Sequence, residues 1–154
     1  MFSDVTIEPF QPEDQTTVKN LILAGLAEHW GELDLNKNPD LNDIASTYAK
    51  GVFLVARLGY EIVGTGAFVP HADGVVQIVR MSVRATMRRK HIGTLILRHL
   101  VQYAKDHGYR KIILETTEDW HEAIEFYLHN NFRITHYSNS DVYFVRDLGN
   151  EEKT

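Results

Sequence analysis

The segment Val83-Arg84-Ala85-Thr86-Met87-Arg88-Arg89-Lys90-His91-Ile92-Gly93-Thr94 gathers cations immediately ahead of an apolar helical run. The chain around it is acidic, with a formal net charge of −5 from 21 acids against 16 bases. A cluster this local suits one small anion. A nucleic-acid binder would be expected to show a broad basic face, so no nucleic-acid partner is expected. If a helix starts near Ile92, its unpaired N–H groups and positive dipole end also point at that place. That is a ready site for a phosphate or pyrophosphate. Gly93 would let the backbone approach the anion, Thr94 could donate a hydroxyl, and Arg88, Arg89 and Lys90 would add full charge. A capped helix start with a solvated basic turn uses the same residues, and the string alone leaves both readings open.

The other chemistry-bearing types are quieter. Of the eight histidines, His91, His99 and His107 lie eight apart, a spacing that drifts around a helix face and gathers no metal site. No metal is expected. With no cysteine there is no disulfide framework, thiolate metal site or cysteine nucleophile, which fits a reducing cytoplasm. No apolar run approaches the roughly 20 residues of a membrane span, so no membrane partner is expected. Met1–Pro12 carries acidic residues and no basic one, unlike a secretory leader. At 154 residues, 44% hydrophobic and 24% charged, the chain reads as one globular domain over residues 1–154.

The elements that must position the basic segment follow from periodicity and punctuation. Thr6–Glu8 reads as a short strand closed by Pro9. Asp14 can cap a helix carrying Val18, Leu21, Ile22, Gly25 and Leu26 at helical spacing. Gly31–Asp40 is a polar loop, and Leu41–Lys50 a weaker second helix. Val52–Leu58 and Ile62–Val69 are β-rich runs about a turn at Gly59–Tyr60, and Val75–Val83 is a third. Ile92–His107 is a helix with a stripe through Leu95, Ile96, His99, Leu100, Tyr103 and Ala104, stopped by Gly108. Ile112–Thr116 is a short buried strand and His121–His129 a short helix. Phe132–Tyr137 and Val142–Asp147 flank a Ser-Asn-Ser-Asp turn. The order β-α-α-β-β-β-α-β-α-β-β predicts an α/β (α+β) fold. Its sheet is mixed and mainly antiparallel, with one right-handed parallel β-α-β crossover beside the basic segment.

The basic string resembles the acetyl-CoA loop of the Gcn5-related N-acetyltransferase (GNAT) superfamily, Val-x-Pro-x-x-Arg-Gly-x-Gly-x-Gly/Ala. Val83, Arg88, Gly93 and the following Thr94 fall in register, while Arg89 stands where glycine is common and His91 replaces the first motif glycine. A second segment, Ala123-Ile124-Glu125-Phe126-Tyr127-Leu128-His129-Asn130-Asn131-Phe132, resembles the family's Ala-x-x-Phe-Tyr-x-x-x-Gly-Phe. Asn131 stands in for its glycine, and asparagine also tolerates the left-handed conformation after a helix. Ile62-Val63-Gly64 is similar to the family's Ile-Val-Gly turn. The likeness runs from about Val52 to Val145.

The resemblance implies an acetyl-CoA-dependent N-acetyltransferase. Its donor site would use Met81, Ser82, Val83, Arg88, Arg89, Lys90, His91, Ile92, Gly93, Thr94 and Tyr127. Tyr127 is the family's general acid: the departing coenzyme A leaves as a thiolate, and a phenol could protonate it with a gain of roughly 10²–10⁴-fold. Ala123, Ile124, Tyr127 and Leu128 also form one apolar stripe, which suits a core tyrosine. A base is needed as well, because an alkyl amine near pKa of about 10.4 must lose a proton before attack. Many relatives offer a glutamate about where Gln77 lies, and an amide cannot serve. Glu115 is the first substitute, with Glu118, Asp73, His71 and His136 behind it.

The family's acceptor side is carried by the first two helices and their loop, here about His29 to Tyr48. Glu32, Asp34, Asp40 and Asp43 there would form an acidic rim suited to a cationic amine, or merely solvated loop charge. The expected partner is a small-molecule or peptide amine, with oligomeric state open and a homodimer one option. Two alternatives are a coenzyme A-binding sensor of this fold without turnover, suggested by His91, Gln77 and Trp120, and transfer of an acyl group other than acetyl.

Overall fold

The structure, a computed structural model, describes residues 4–31 and 37–149. The elements are β1 (Val5–Pro9), α1 (Gln15–Trp30), α2 (Ile44–Thr47), β2 (Val52–Leu58), β3 (Glu61–Ala72), β4 (Val75–Val83), α3 (Ile92–Asp106), β5 (Lys111–Thr117), α4 (His121–His129), β6 (Arg133–Ser138) and β7 (Asp141–Asp147). Among the described residues, seven strands form one mixed sheet in the order β1-β2-β3-β4-β5-β7-β6, matching the predicted class. Its parallel pair joins Val75–Gln77 of β4 to Lys111–Ile113 of β5, so α3 is the crossover helix. Among the described residues no helix is long and apolar enough to cross a membrane.

The chain forms two compact units, one of Met1–Val69 with Val79–Leu100, the other of Pro70–Ile78 with Val101–Thr154. In the first, Val18, Leu21 and Ile22 of α1 pack with Leu41, Ile44 and Tyr48 against Phe53, Val55 and Ala67 of the sheet. The first turns of α3 lie close on β3. A Cβ at Gly66 would stand 2.6 Å from Ile96 Cγ2 and 2.6 Å from Met81 Sδ, so this approach requires glycine. In the second unit, Ile112 and Leu114 of β5 and Val142, Phe144 and Val145 of β7 are buried. The two strands pair antiparallel along Lys111–Thr117, with Leu114 opposite Phe144.

Two local readings change. Leu41–Lys50 is not one helix: a 3-10 turn over Pro39–Asn42 precedes the four-residue α2. Asp43 divides them with φ −151°, its side chain accepting a hydrogen bond from the Ser46 N–H. Asp14 does not cap α1 through its side chain. Its carboxylate accepts instead from the Gln11 N–H and from Arg57, at 3.0 and 2.7 Å. An arginine ion pair holds a carboxylate more strongly than a neutral cap.

Candidate active site

Strand β4 hands the chain to the basic loop through a fixed exit. The Arg84 N–H bonds the Val63 carbonyl at 2.8 Å, and its guanidinium reaches the Ile62 carbonyl at 2.9 Å and Glu61 at 3.4 Å. Arg84 is therefore bound to β3. A 3-10 turn over Ala85–Met87 follows, and Arg88 leaves it extended, with φ −68° and ψ 156°. Arg88 also forms an exposed ion pair with Glu28 of α1. Arg89, Lys90 and His91 are exposed.

The two departures from the family pattern, Arg89 and His91, both adopt left-handed backbone, with φ 64° and 62°. This is the region where glycine carries no Cβ penalty, and glycine is the residue the family pattern has at both positions. The Leu95 N–H bonds the His91 carbonyl at 3.1 Å, which makes His91 the residue that opens α3. Ile92, Gly93 and Thr94 then belong to the first turn, whose N–H groups have no acceptor within the helix. Left-handed residues before such a turn gather N–H groups into an anion-binding concavity. The set fits a pyrophosphate: backbone donors, a dipole end and exposed cations.

The strand leading into the loop carries the other predicted donor residues. The Met81 thioether packs over Gly66, toward α3, and the Ser82 hydroxyl lies against Gly25 of α1. Val83 ends β4.

In the second unit, Tyr127 is 7% exposed on α4. Its ring meets Phe132 and Phe144 at centroid distances of 5.6 and 5.7 Å. Burial pushes its phenol well above the ordinary value near 10. Asn131 after α4 has φ 71°, as expected of a glycine substitute. Glu115 is exposed on β5, opposite Tyr143 on β7. Tyr143 hydrogen-bonds Glu115, whose charge foremost raises the Tyr143 phenol, and its ring stacks with His136 at 4.4 Å. Glu115, Tyr143 and His136 thus make one row across β5, β7 and β6, a pairing that spacing alone does not show. Gln77 lies on β4 beside Ile113. His71 and Asp73 are exposed near the β3–β4 turn, and the Glu118 backbone bonds the Ser140 carbonyl. His99 and His107 each bond the carbonyl four residues back, an ordinary helix-surface role.

The acceptor-side acids have other duties. Asp43 caps α2, and Asp40 accepts bonds from Arg80 at 2.7 and 2.9 Å and from the Tyr48 hydroxyl at 2.6 Å. Burial alone would raise the Asp40 carboxyl, but these donors outweigh it and hold the group below its usual range. Burial foremost, and then the bond to the Asp40 carboxylate, pushes the Tyr48 phenol up to about 12. Asp40 is therefore an ion-paired group and not free rim charge, whereas Asp43 stays exposed at the start of α2. Glu32 and Asp34 lie outside the described residues. Sequence reasoning passed over Arg80, although a lone arginine inside the apolar run Val75–Val83 was a signal.

A family model described as acetyltransferase (GNAT) family matches residues 17–132. The chain belongs to that family. It is 34% identical over 103 residues to rat (Rattus norvegicus) N-acetyltransferase 8F1, covering 62% of this chain and 47% of that protein. It is 33% identical over 117 residues to mouse (Mus musculus) N-acetylaspartate synthetase, covering 73% and 38%. The chain spans about half the length, or less, of these curated relatives. Among solved structures, a GNAT-family acetyltransferase from Staphylococcus aureus Mu50 superposes with a TM-score of 0.86 at 22% identity, covering 94% of this chain and 99% of that one. PaiA N-acetyltransferase from Thermoplasma acidophilum, solved in complex with coenzyme A, gives 0.82 at 15%, covering 93% and 98%. At these identities the structural likeness establishes the GNAT fold.

Proposed function

We propose that the chain is an N-acetyltransferase that moves acetyl from acetyl-CoA directly to a primary amine through a tetrahedral intermediate. The observation that carries this reading is the pair of left-handed residues, Arg89 and His91, immediately before the first turn of α3. Both hold the conformation that glycine adopts most readily, although neither is glycine. The coenzyme A complex of the Thermoplasma relative supports the same ligand.

In this reading Arg88 to Thr94 hold the pyrophosphate, by backbone N–H groups and by the charges of Arg88, Arg89 and Lys90. Met81, Ser82 and Val83 line the donor strand. Acetyl-CoA supplies the thioester, whose acyl carbon the amine attacks and whose sulfur then leaves. Tyr127 is assigned to that sulfur. Its raised pKa keeps the phenol protonated at neutral pH, as a donor must be. A thiol near pKa of about 8.5 is the stronger acid, so Tyr127 gives mainly a hydrogen bond that strengthens as charge builds on sulfur. Glu115, alone or through water, is the proposed acceptor of the amine proton.

Release of free thiol from acetyl-CoA, measured with polyamines, aminoglycosides, lysine peptides and amino acids, tests the proposal. Release that depends on one amine class supports it. Coenzyme A binding without release from any acceptor points to the sensor reading instead.

A further inference from the structure

Arg80 lies inside β4, yet its φ is 55°, a left-handed residue within an extended strand. The side chains around it show what this does. Val79 packs with the α1 and α2 core, and Arg80 reaches Asn38 and Asp40, on the segment that joins that core. Met81 turns the other way, over Gly66 toward α3. Two successive side chains on one face are the signature of a bulge, which re-aims residues in an otherwise alternating strand. The interruption is held from behind, where the buried Thr65 hydroxyl donates to the Arg80 carbonyl at 2.8 Å.

The re-aimed guanidinium closes a clasp. Nε and Nη2 donate to the two Asp40 oxygens at 2.9 and 2.7 Å, and Nη2 also donates to Asn38 Oδ1 at 3.0 Å. The Tyr48 hydroxyl takes a second bond to Asp40 at 2.6 Å, and its ring sits edge-on to Phe53. Both ends of the Asn38–Tyr48 segment are thereby fastened to the point in β4 that immediately precedes Met81, Ser82 and Val83. A fork this shape needs arginine, because lysine offers a point charge without two parallel donors.

We propose that Arg80, with Asp40 and Tyr48, is a positioning device that sets the acceptor side of the site in register with the donor strand. This rests on the acetyltransferase reading above. Arg80 itself touches no reacting atom; it acts through the segment it holds. The clasp fixes where an amine is presented, and leaves the coenzyme A loop, which follows Val83, to bind independently.

The test compares the full chain with Arg80→Lys and Tyr48→Phe, the second removing one hydroxyl while keeping the ring. Coenzyme A affinity is measured by calorimetry, the Michaelis constant by thiol release with the best amine of the panel, and segment order by hydrogen exchange. Loss of charged hydrogen bonds predicts an acceptor Michaelis constant raised about tenfold in Arg80→Lys and less in Tyr48→Phe. Amides of Asn38–Tyr48 should exchange faster, while the dissociation constant for coenzyme A stays within about twofold. An unchanged acceptor constant despite a loosened segment overturns the proposal. So does a parallel loss of amine and coenzyme A binding, which would make the clasp part of general folding. A wild-type chain that binds coenzyme A but acetylates no amine overturns the acetyltransferase reading and the clasp's acceptor role together. That result precedes any variant and is distinct from failure of the clasp alone.

Discussion

Replacing His91 or Arg89 by glycine should leave the chain at least as stable, and His91→Gly, which removes none of the loop's full charges, should also preserve or improve coenzyme A binding. Both residues hold left-handed backbone, at φ 62° and 64°. An L-residue in that region costs roughly 1–2 kcal/mol, which glycine avoids. Glycine in turn adds about 0.4–1 kcal/mol of freedom to the unfolded chain. The difference is a gain of about 0.5 kcal/mol per site, or about 1 kcal/mol for the double variant when the sites add. For a chain of this size that raises the melting temperature by about 2–4 °C. His91→Val is the opposite control, because a branched Cβ is least tolerated at positive φ, and it should melt lower than wild type. Circular dichroism melts give stability, and calorimetry with coenzyme A gives affinity. If N–H groups form the cradle, His91→Gly keeps them all, so affinity should hold. A His91→Gly chain that melts lower and binds coenzyme A tenfold more weakly would refute the reasoning. The imidazole, not the backbone, would then carry the contact.

Tyr127→Phe keeps the ring against Phe132 and Phe144 and should change stability little, while turnover falls roughly 10²-fold and the Michaelis constant for acetyl-CoA moves much less. More than half the turnover retained would return Tyr127 to a purely structural role. Gly66→Ala forces a methyl within 2.6 Å of Ile96 and Met81 and should destabilise by about 1–3 kcal/mol, read as a lower denaturation midpoint. Tyr48 is raised in the fold from near 10 to about 12, so its contribution is full below pH 10 and disappears as pH rises through 12. Asp40 is lowered, so its contribution is present above its unfolded value of 3.8 and lost as pH falls further. Melts from pH 9 to 12 should show a steeper alkaline loss in wild type than in Tyr48→Phe; identical slopes would remove Tyr48 from this account.

Much of the scaffold is legible in the sequence, because its signals are local. Val52–Leu58, Val75–Val83 and His121–His129 stand with the bounds the residue pattern predicts. Periodicity and stop residues act over one or two turns, within reach of a sequence reading. Asn131 is left-handed, as its residue type suggests, and the Ser-Asn-Ser-Asp segment forms the turn between β6 and β7. The basic loop is legible by composition, and the two residues that stand where the motif has glycine both have left-handed backbone.

What the sequence could not decide were choices between partners far apart in the chain. Asp14 had a helix to cap, and Arg57, 43 residues on, took it instead. Asp40 looked like rim acidity until Arg80 and Tyr48 claimed both its oxygens. Glu115 reads as a lone strand-end acid, and only the β5–β7–β6 register sets Tyr143 and His136 in its row. Arg80 is the plainest case. Strict alternation sets its side chain opposite that of Val79, and one left-handed residue puts both on the same side. A charged side chain forms its strongest bonds with whatever oppositely charged group the folded backbone brings within reach, and strand register and bulges make that choice only in three dimensions.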